Sequence, residues 1–132
     1  MRYRDLRLAE RIALALVVLG FAFGAGSHAL DFIRFGWLPY RFGPPVLNCF
    51  WNALVLLDGF VVGLLLAGRR RAGLAMATVV MIVDVAANSY AWFGLGFDGF
   101  AVSVPLQTAF LGVVLATTLL LWRTVAVPAP LR

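Results

Sequence analysis

The sequence predicts an all-α fold: an integral membrane four-helix bundle with up-down-up-down topology. Three observations predict it. Hydrophobic residues make up 63% of the 132-residue chain and charged residues only 13%, with a mean hydropathy of +0.95. A soluble domain of this size could not keep so much apolar surface from water. The apolar residues also fall in long runs without acid or arginine, among them Ile12 to Leu30, Ala72 to Val83 and Gly99 to Trp122. They do not alternate with polar residues as strands of a membrane barrel would. Finally, the arginines cluster at the ends of these runs.

Allowing Asp58 and Asp84 to interrupt apolar stretches leaves spans at 11–33, 46–68, 72–94 and 103–123. Each reaches the ~20 residues needed to cross a bilayer. They form a single domain over 1–132 with no low-complexity linker. Span 1 follows a basic leader, and Ser27-His28-Ala29 loosely imitates a signal-peptide cleavage site. A retained helix is expected, because the run is long and three more spans follow. In the loop from Arg34 to Pro45, Trp37 and Tyr40 suit a membrane interface, and Pro44-Pro45 marks the start of span 2. The turn Gly68-Arg69-Arg70-Arg71-Ala72 is so short that spans 2 and 3 must be antiparallel neighbours. The second loop, Gly94 to Ser103, is rich in Gly and Phe and contains Asp98. It reads as a plain interfacial turn in preference to a lid. The tail from Val127 carries two prolines and is expected to fray.

The net charge of +5 reports topology. Arg2, Arg4, Arg7 and Arg11, then Arg69, Arg70 and Arg71, then Arg123 and Arg132 share one side after an even number of crossings, while Arg34 and Arg41 stand on the other. By the positive-inside rule both termini are cytoplasmic, in a plasma (inner) membrane. No basic patch interleaved with aromatics remains to bind nucleic acid, so the bilayer is the expected partner. Cys49 is the single cysteine, which excludes an internal disulfide. His28 is the single histidine, and no second ligand at metal spacing accompanies it. No phosphate loop or nucleophile elbow is present, and no cofactor is expected. Gly20–Gly24 and Gly59–Gly63 both match GxxxG. They read either as faces for a homo-oligomer or as close packing within the bundle, and packing is preferred in a chain with 13 glycines.

Candidate site residues follow from depth and helical phase. At ~1.5 Å per residue, His28, Asn48, Asn52, Asn88 and Gln107 fall roughly 21–27 Å from the cytoplasmic boundary, one layer supplied by all four spans. Asp58 and Asp84 fall at roughly 12–18 Å, near the midplane. An intramembrane carboxylate is costly and marks a functional site by default. His28 and Asp31, Asn48 and Asn52, and Asp84 and Asn88 each share a helix face, and Trp51 aligns with Asp58. The expected ligand-binding set is therefore His28, Asp31, Asn48, Trp51, Asn52, Asp58, Asp84, Asn88 and Gln107. It forms a polar pocket opening outward and narrowing onto two carboxyl groups. Interhelical hydrogen bonding alone would also employ such amides and histidine, though for the two aspartates an amide would serve as well at less cost.

The stretch Leu57-Asp58-Gly59 through Gly68-Arg69-Arg70-Arg71-Ala72-Gly73, with Gly24-Ala25-Gly26-Ser27-His28 in span 1, resembles the DoxX-like group of small four-helix membrane proteins. Asp58 stands where that group more usually has Glu, and the Lys that often follows its first-helix glycine is missing. The resemblance implies the four-span layout and a quinone- or redox-linked role. His28 and Asp31 late in span 1, with Asp58 in span 2, also resemble the EXPERA superfamily of emopamil-binding and sterol-isomerase-like proteins. That likeness implies a pocket with intramembrane acids, which in isomerase members protonate and deprotonate a sterol double bond.

Four functions follow, in order of preference. The first is binding of a lipophilic small molecule (lipid, quinone or terpenoid) in a mostly apolar pocket with a few convergent polar groups. The second is a non-catalytic scaffold or accessory subunit. The third is an acid/base isomerase-type enzyme with Asp58, Asp84 and His28 as candidate catalytic groups. The last is an ion path, disfavoured because Gly59 to Gly68 carries no polar side chain.

Overall fold

A computed structural model describes residues 6–124. Arg2, Arg4, Arg132, the side chain of Arg123 and the tail from Val127 lie outside the described residues. Four helices carry the fold: α1 (Leu8–Phe35), α2 (Pro45–Leu66), α3 (Arg70–Ser89) and α4 (Ser103–Thr124). A π-helical turn, Tyr90–Gly94, prolongs α3, and a 3-10 turn, Asp98–Phe100, precedes α4. All four helices are long and apolar enough to cross a membrane. Each packs on its sequence neighbour, and α4 closes against α1. The chain is thus a small membrane protein with an up-down-up-down bundle. One end gathers the start of α1, the α2–α3 turn and the close of α4; the other holds the two longer connections and is called the loop end below.

Local chemistry sets the boundaries. Pro45 opens α2 as expected, since proline has no N–H to leave unpaired in a first turn. The helix stops at Leu66, two residues short of the expected span end. Gly68 adopts φ +77°, its N–H bonds to the Leu65 carbonyl at 3.0 Å, and the Arg69 N–H reaches the Leu64 carbonyl at 2.9 Å. This pairing is a Schellman motif, which caps orphan carbonyls and requires a left-handed residue that glycine supplies without a Cβ penalty. The turn reverses the chain within a few residues, so α2 and α3 are antiparallel neighbours. At the start of α1, Glu10 accepts the Arg7 backbone N–H at 2.8 Å, a capping arrangement that begins the helix before residue 11.

Buried positions recur at alternating spacings of three and four. On α1 they are Glu10, Leu14, Val17 and Phe21, and on α2 Trp51, Leu54, Asp58, Val61 and Leu65. This period places one stripe of each helix on a common seam, as in left-handed bundles. Extending the α1 register by the same steps reaches Gly24, His28 and Asp31. The polar candidates therefore occupy seam positions, where packing brings them together. Outward faces carry Phe23, Ile33, Leu56 and other large exposed apolar chains, which lipid solvates.

The two GxxxG motifs have separate fates. A Cβ on Gly20 would run into the Phe110 ring of α4, and one on Gly24 would stand 2.5 Å from an Asp58 carboxylate oxygen on α2. Both glycines thus admit neighbouring helices inside the bundle. Gly59 and Gly63 face open space.

Candidate functional site

The connection from 36 to 44 is fastened to the bundle by two asparagines of α2. Asn48 accepts the Gly43 N–H at 2.9 Å and donates to the Gly43 carbonyl at 2.6 Å. One turn later, Asn52 accepts the Tyr40 N–H at 3.2 Å and donates to the Tyr40 carbonyl at 2.8 Å. Each amide thereby satisfies a loop residue's donor and acceptor together, which backbone at membrane depth demands. Asn48 thus spends its amide on the loop backbone, while Asn52 Nδ2 also donates to the Asn48 carbonyl one turn back at 2.8 Å.

Fastening Tyr40 sends its phenol inward. The hydroxyl donates to Asp31 Oδ2 at 2.5 Å and lies 2.7 Å from His28 Nδ1. Because the phenol proton is committed to a carboxylate, His28 Nδ1 must be the donor in the second bond. The other ring nitrogen, Nε2, then points at Asp58 Oδ2 across 3.9 Å, beyond direct hydrogen-bond reach. Asp31, Tyr40, His28 and Asp58 form a chain of acid–base groups from the loop end into the bundle. Burial, followed by the bond to Asp31, pushes the Tyr40 phenol above its ordinary range. Tyr40 therefore stays protonated at neutral pH and serves as a donor.

Asn88 organises the other half of the interior. Its Oδ1 accepts the Trp51 indole N–H at 2.7 Å, while Nδ2 donates to Asp84 Oδ1 at 3.0 Å and to Gln107 Oε1 at 2.9 Å. One buried amide thus joins α2, α3 and α4. Asp58 is buried against Gly24, and no donor among the described residues is within hydrogen-bond reach of its carboxylate.

Aromatic rings cover this interior at the loop end. The Trp51 ring stacks between Phe42 and Phe100, at centroid distances of 5.2 and 5.4 Å. Phe97 meets Phe42 edge-on at 5.8 Å. The second loop thereby gives Phe97 and Phe100 an apolar seat against Phe42 and Trp51. An apolar groove of about 900 Å³ opens on the flank, between α1, α2 and the first loop. Phe32, Ile33, Ala53 and Leu56 form its walls, and Tyr40, Arg41, Asn48, Cys49 and Asn52 also line it.

The nine predicted site residues thus divide into groups. His28 and Asp31 join through Tyr40, with Asp58 on the far side of the His28 ring; Trp51, Asp84 and Gln107 join through Asn88; Asn48 and Asn52 hold the loop and edge the groove. Sequence reasoning placed Tyr40 and Trp37 together as interfacial aromatics and assigned Arg41 to topology. The available signal for Tyr40 was its place in the connection between the end of span 1, which carries His28 and Asp31, and Pro44-Pro45. Among the described residues no His/Cys/Asp/Glu group is arranged to hold a metal ion. No family model matches the chain, and neither does any curated protein or solved structure.

Proposed function

We propose that this membrane protein binds a lipophilic small molecule, such as a lipid, quinone or terpenoid, in the flank groove between α1 and α2. The observation that carries this reading is the groove itself. Its volume of about 900 Å³ lies within the range of ligand sites, and apolar walls with a few polar groups are what such sites need. Tyr40 lines the groove while its hydroxyl engages His28 and Asp31. A polar group on a bound lipophile would thus sit beside the acid–base chain. The likenesses to DoxX-like proteins and to the EXPERA superfamily point to ligands of the same class. The arginine distribution supports a plasma-membrane orientation with cytoplasmic termini and the loop end outside; the groove then opens in the outer leaflet.

Native mass spectrometry after extraction in mild detergent tests the reading. Wild type should carry a co-purifying lipophile, and Ala53→Trp, which fills the groove from its wall, should lose it while remaining folded. Protein that is empty in every mild detergent would sink the proposal. The same measurement on Asp58→Asn and Asp84→Asn asks whether the buried carboxyls contribute.

The scaffold reading keeps second place on one observation. The Asn88 amide commits both N–H donors to Asp84 and Gln107 and accepts from the Trp51 indole, which joins helices and leaves it no donor to offer a ligand. Loss of stability without loss of a ligand in Asn88 variants is its signature.

A further inference from the structure

We infer that the groove takes one lipid with an anionic headgroup, its phosphate against Arg41 and an acyl chain along α2. The inference rests on the flank groove being the binding site.

Dimensions come first. The α2 residues lining the groove run from Pro45 to Leu56, about 16 Å of helix at ~1.5 Å per residue. That is about half of a ~30 Å hydrocarbon core. The groove therefore starts at the loop end and stops near the midplane, matching one leaflet. A lipid already resident in that leaflet enters sideways, with its head at the loop and its tail against Phe32, Ala53 and Leu56.

Charge then selects the head. Among the described residues Arg41 is the only charged side chain lining the groove. Its Nε–H donates to the Leu38 carbonyl at 2.8 Å, and Nη2 donates to the Trp37 carbonyl. Two of the five guanidinium donors are thus used, three remain, and no carboxylate among the described residues pairs with Arg41. The nearby acid Asp31 is already engaged by Tyr40. The two asparagine clamps flank Arg41 in sequence, at Tyr40 and Gly43, so its backbone is fixed before a ligand arrives. Pre-organisation of this kind lowers the entropy cost of binding. A guanidinium with parallel free N–H groups suits phosphate oxygens, and Trp37 on the rim suits headgroup depth.

The test compares phosphatidylglycerol with phosphatidylcholine of identical acyl chains, added to delipidated full-length protein and read by native mass spectrometry. Wild type should retain the anionic lipid about fivefold better, the effect of one interfacial arginine. Arg41→Gln should erase the preference, Arg41→Lys should keep part of it, and Arg34→Gln should leave it intact. The alkylation rate of Cys49, an exposed thiol on the groove wall, should fall when phosphatidylglycerol is added and should not change with inorganic phosphate. The inference is overturned if wild type shows no preference, if Arg41→Gln retains it, if Arg34→Gln loses it equally, or if free phosphate protects Cys49 as well as the lipid. Failure of the groove itself reads differently: Ala53→Trp would then hold both lipids as wild type does. Equal retention of both lipids by wild type, with loss of both in Ala53→Trp, keeps the groove and removes only the anionic head.

Discussion

On the inner side of α2, Trp51 and Asp58 face polar partners: Asn88 Oδ1 accepts a hydrogen bond from the Trp51 indole N–H, and His28 stands 3.9 Å from the Asp58 carboxylate. On the flank of the same helix, Ala53 and Leu56 line a groove that protein atoms leave unfilled. Loop residues join the two sides, because Tyr40 edges the groove and sends its hydroxyl to His28 and Asp31. The contrast separates what holds the bundle from what the bundle can hold. Interior polar groups are spent largely on one another, so removing one should cost stability. The groove is apolar and open, so filling it should cost binding.

The largest effect that would break this division is expected at Asn88. Asn88→Leu removes three hydrogen bonds and leaves the Trp51 indole, Asp84 and Gln107 without that partner. Thermal or denaturant unfolding in detergent should show a loss of about 3 kcal/mol. An unfolding midpoint equal to wild type would mean that the interior network is not structural.

Next comes the matched pair of glycines. Gly24→Ala places a methyl 2.5 Å from Asp58 and should cost about 2 kcal/mol through overpacking. Gly63→Ala meets open space and should be neutral or stabilising by up to about 1 kcal/mol, since alanine favours helix. Equal costs at both positions, or dissociation of a dimer in Gly63→Ala, would place a second chain against that face.

A smaller change, about 1 kcal/mol, is expected for Tyr40→Phe, which deletes the bonds to Asp31 and His28. Its pH dependence has a definite sign. The folded phenol is held above its ordinary value by burial and by Asp31. The stability it contributes is complete below the unfolded phenol pKa of about 10 and is lost as pH rises toward the folded value. The gap between wild type and Tyr40→Phe should therefore narrow only in strong alkali. A gap that closes on acidification below neutral would assign the effect to another group.

The smallest stability change belongs to the groove. Ala53→Trp should alter the unfolding midpoint by less than about 0.5 kcal/mol, as surface changes usually do, while abolishing retention of a lipophile. A strongly destabilised Ala53→Trp protein would show that the groove wall is part of the packed core.

Much of the architecture was legible before any coordinates. Bilayer length fixed the four helices within a few residues, and Pro44-Pro45 and Gly68 marked a helix start and stop through backbone chemistry that does not depend on neighbours. Phase placed Asp58 with Trp51 and Asp84 with Asn88 on shared faces. Partners were less legible. The period of a helix tells which residues share a stripe but not which stripe of another helix they meet. Thus Asn48 and Asn52, read as pocket amides, bond to the loop, and Tyr40, read as an interfacial anchor, completes the His28–Asp31 pair.

The sequence by itself determined an all-helical membrane protein with intramembrane carboxyls. Composition, run length and the cost of burying charge act locally, and each can be read residue by residue. The tertiary structure alone decided that Gly20 and Gly24 pack inside while Gly59 and Gly63 face out, although the motif is the same. It also decided that aromatic rings gather on Trp51 at the loop end and that an apolar groove opens on the flank between α1 and α2. These outcomes depend on how helices rotate against one another and on where a short loop lands. Both are set by packing over the whole bundle and by no single segment of the chain.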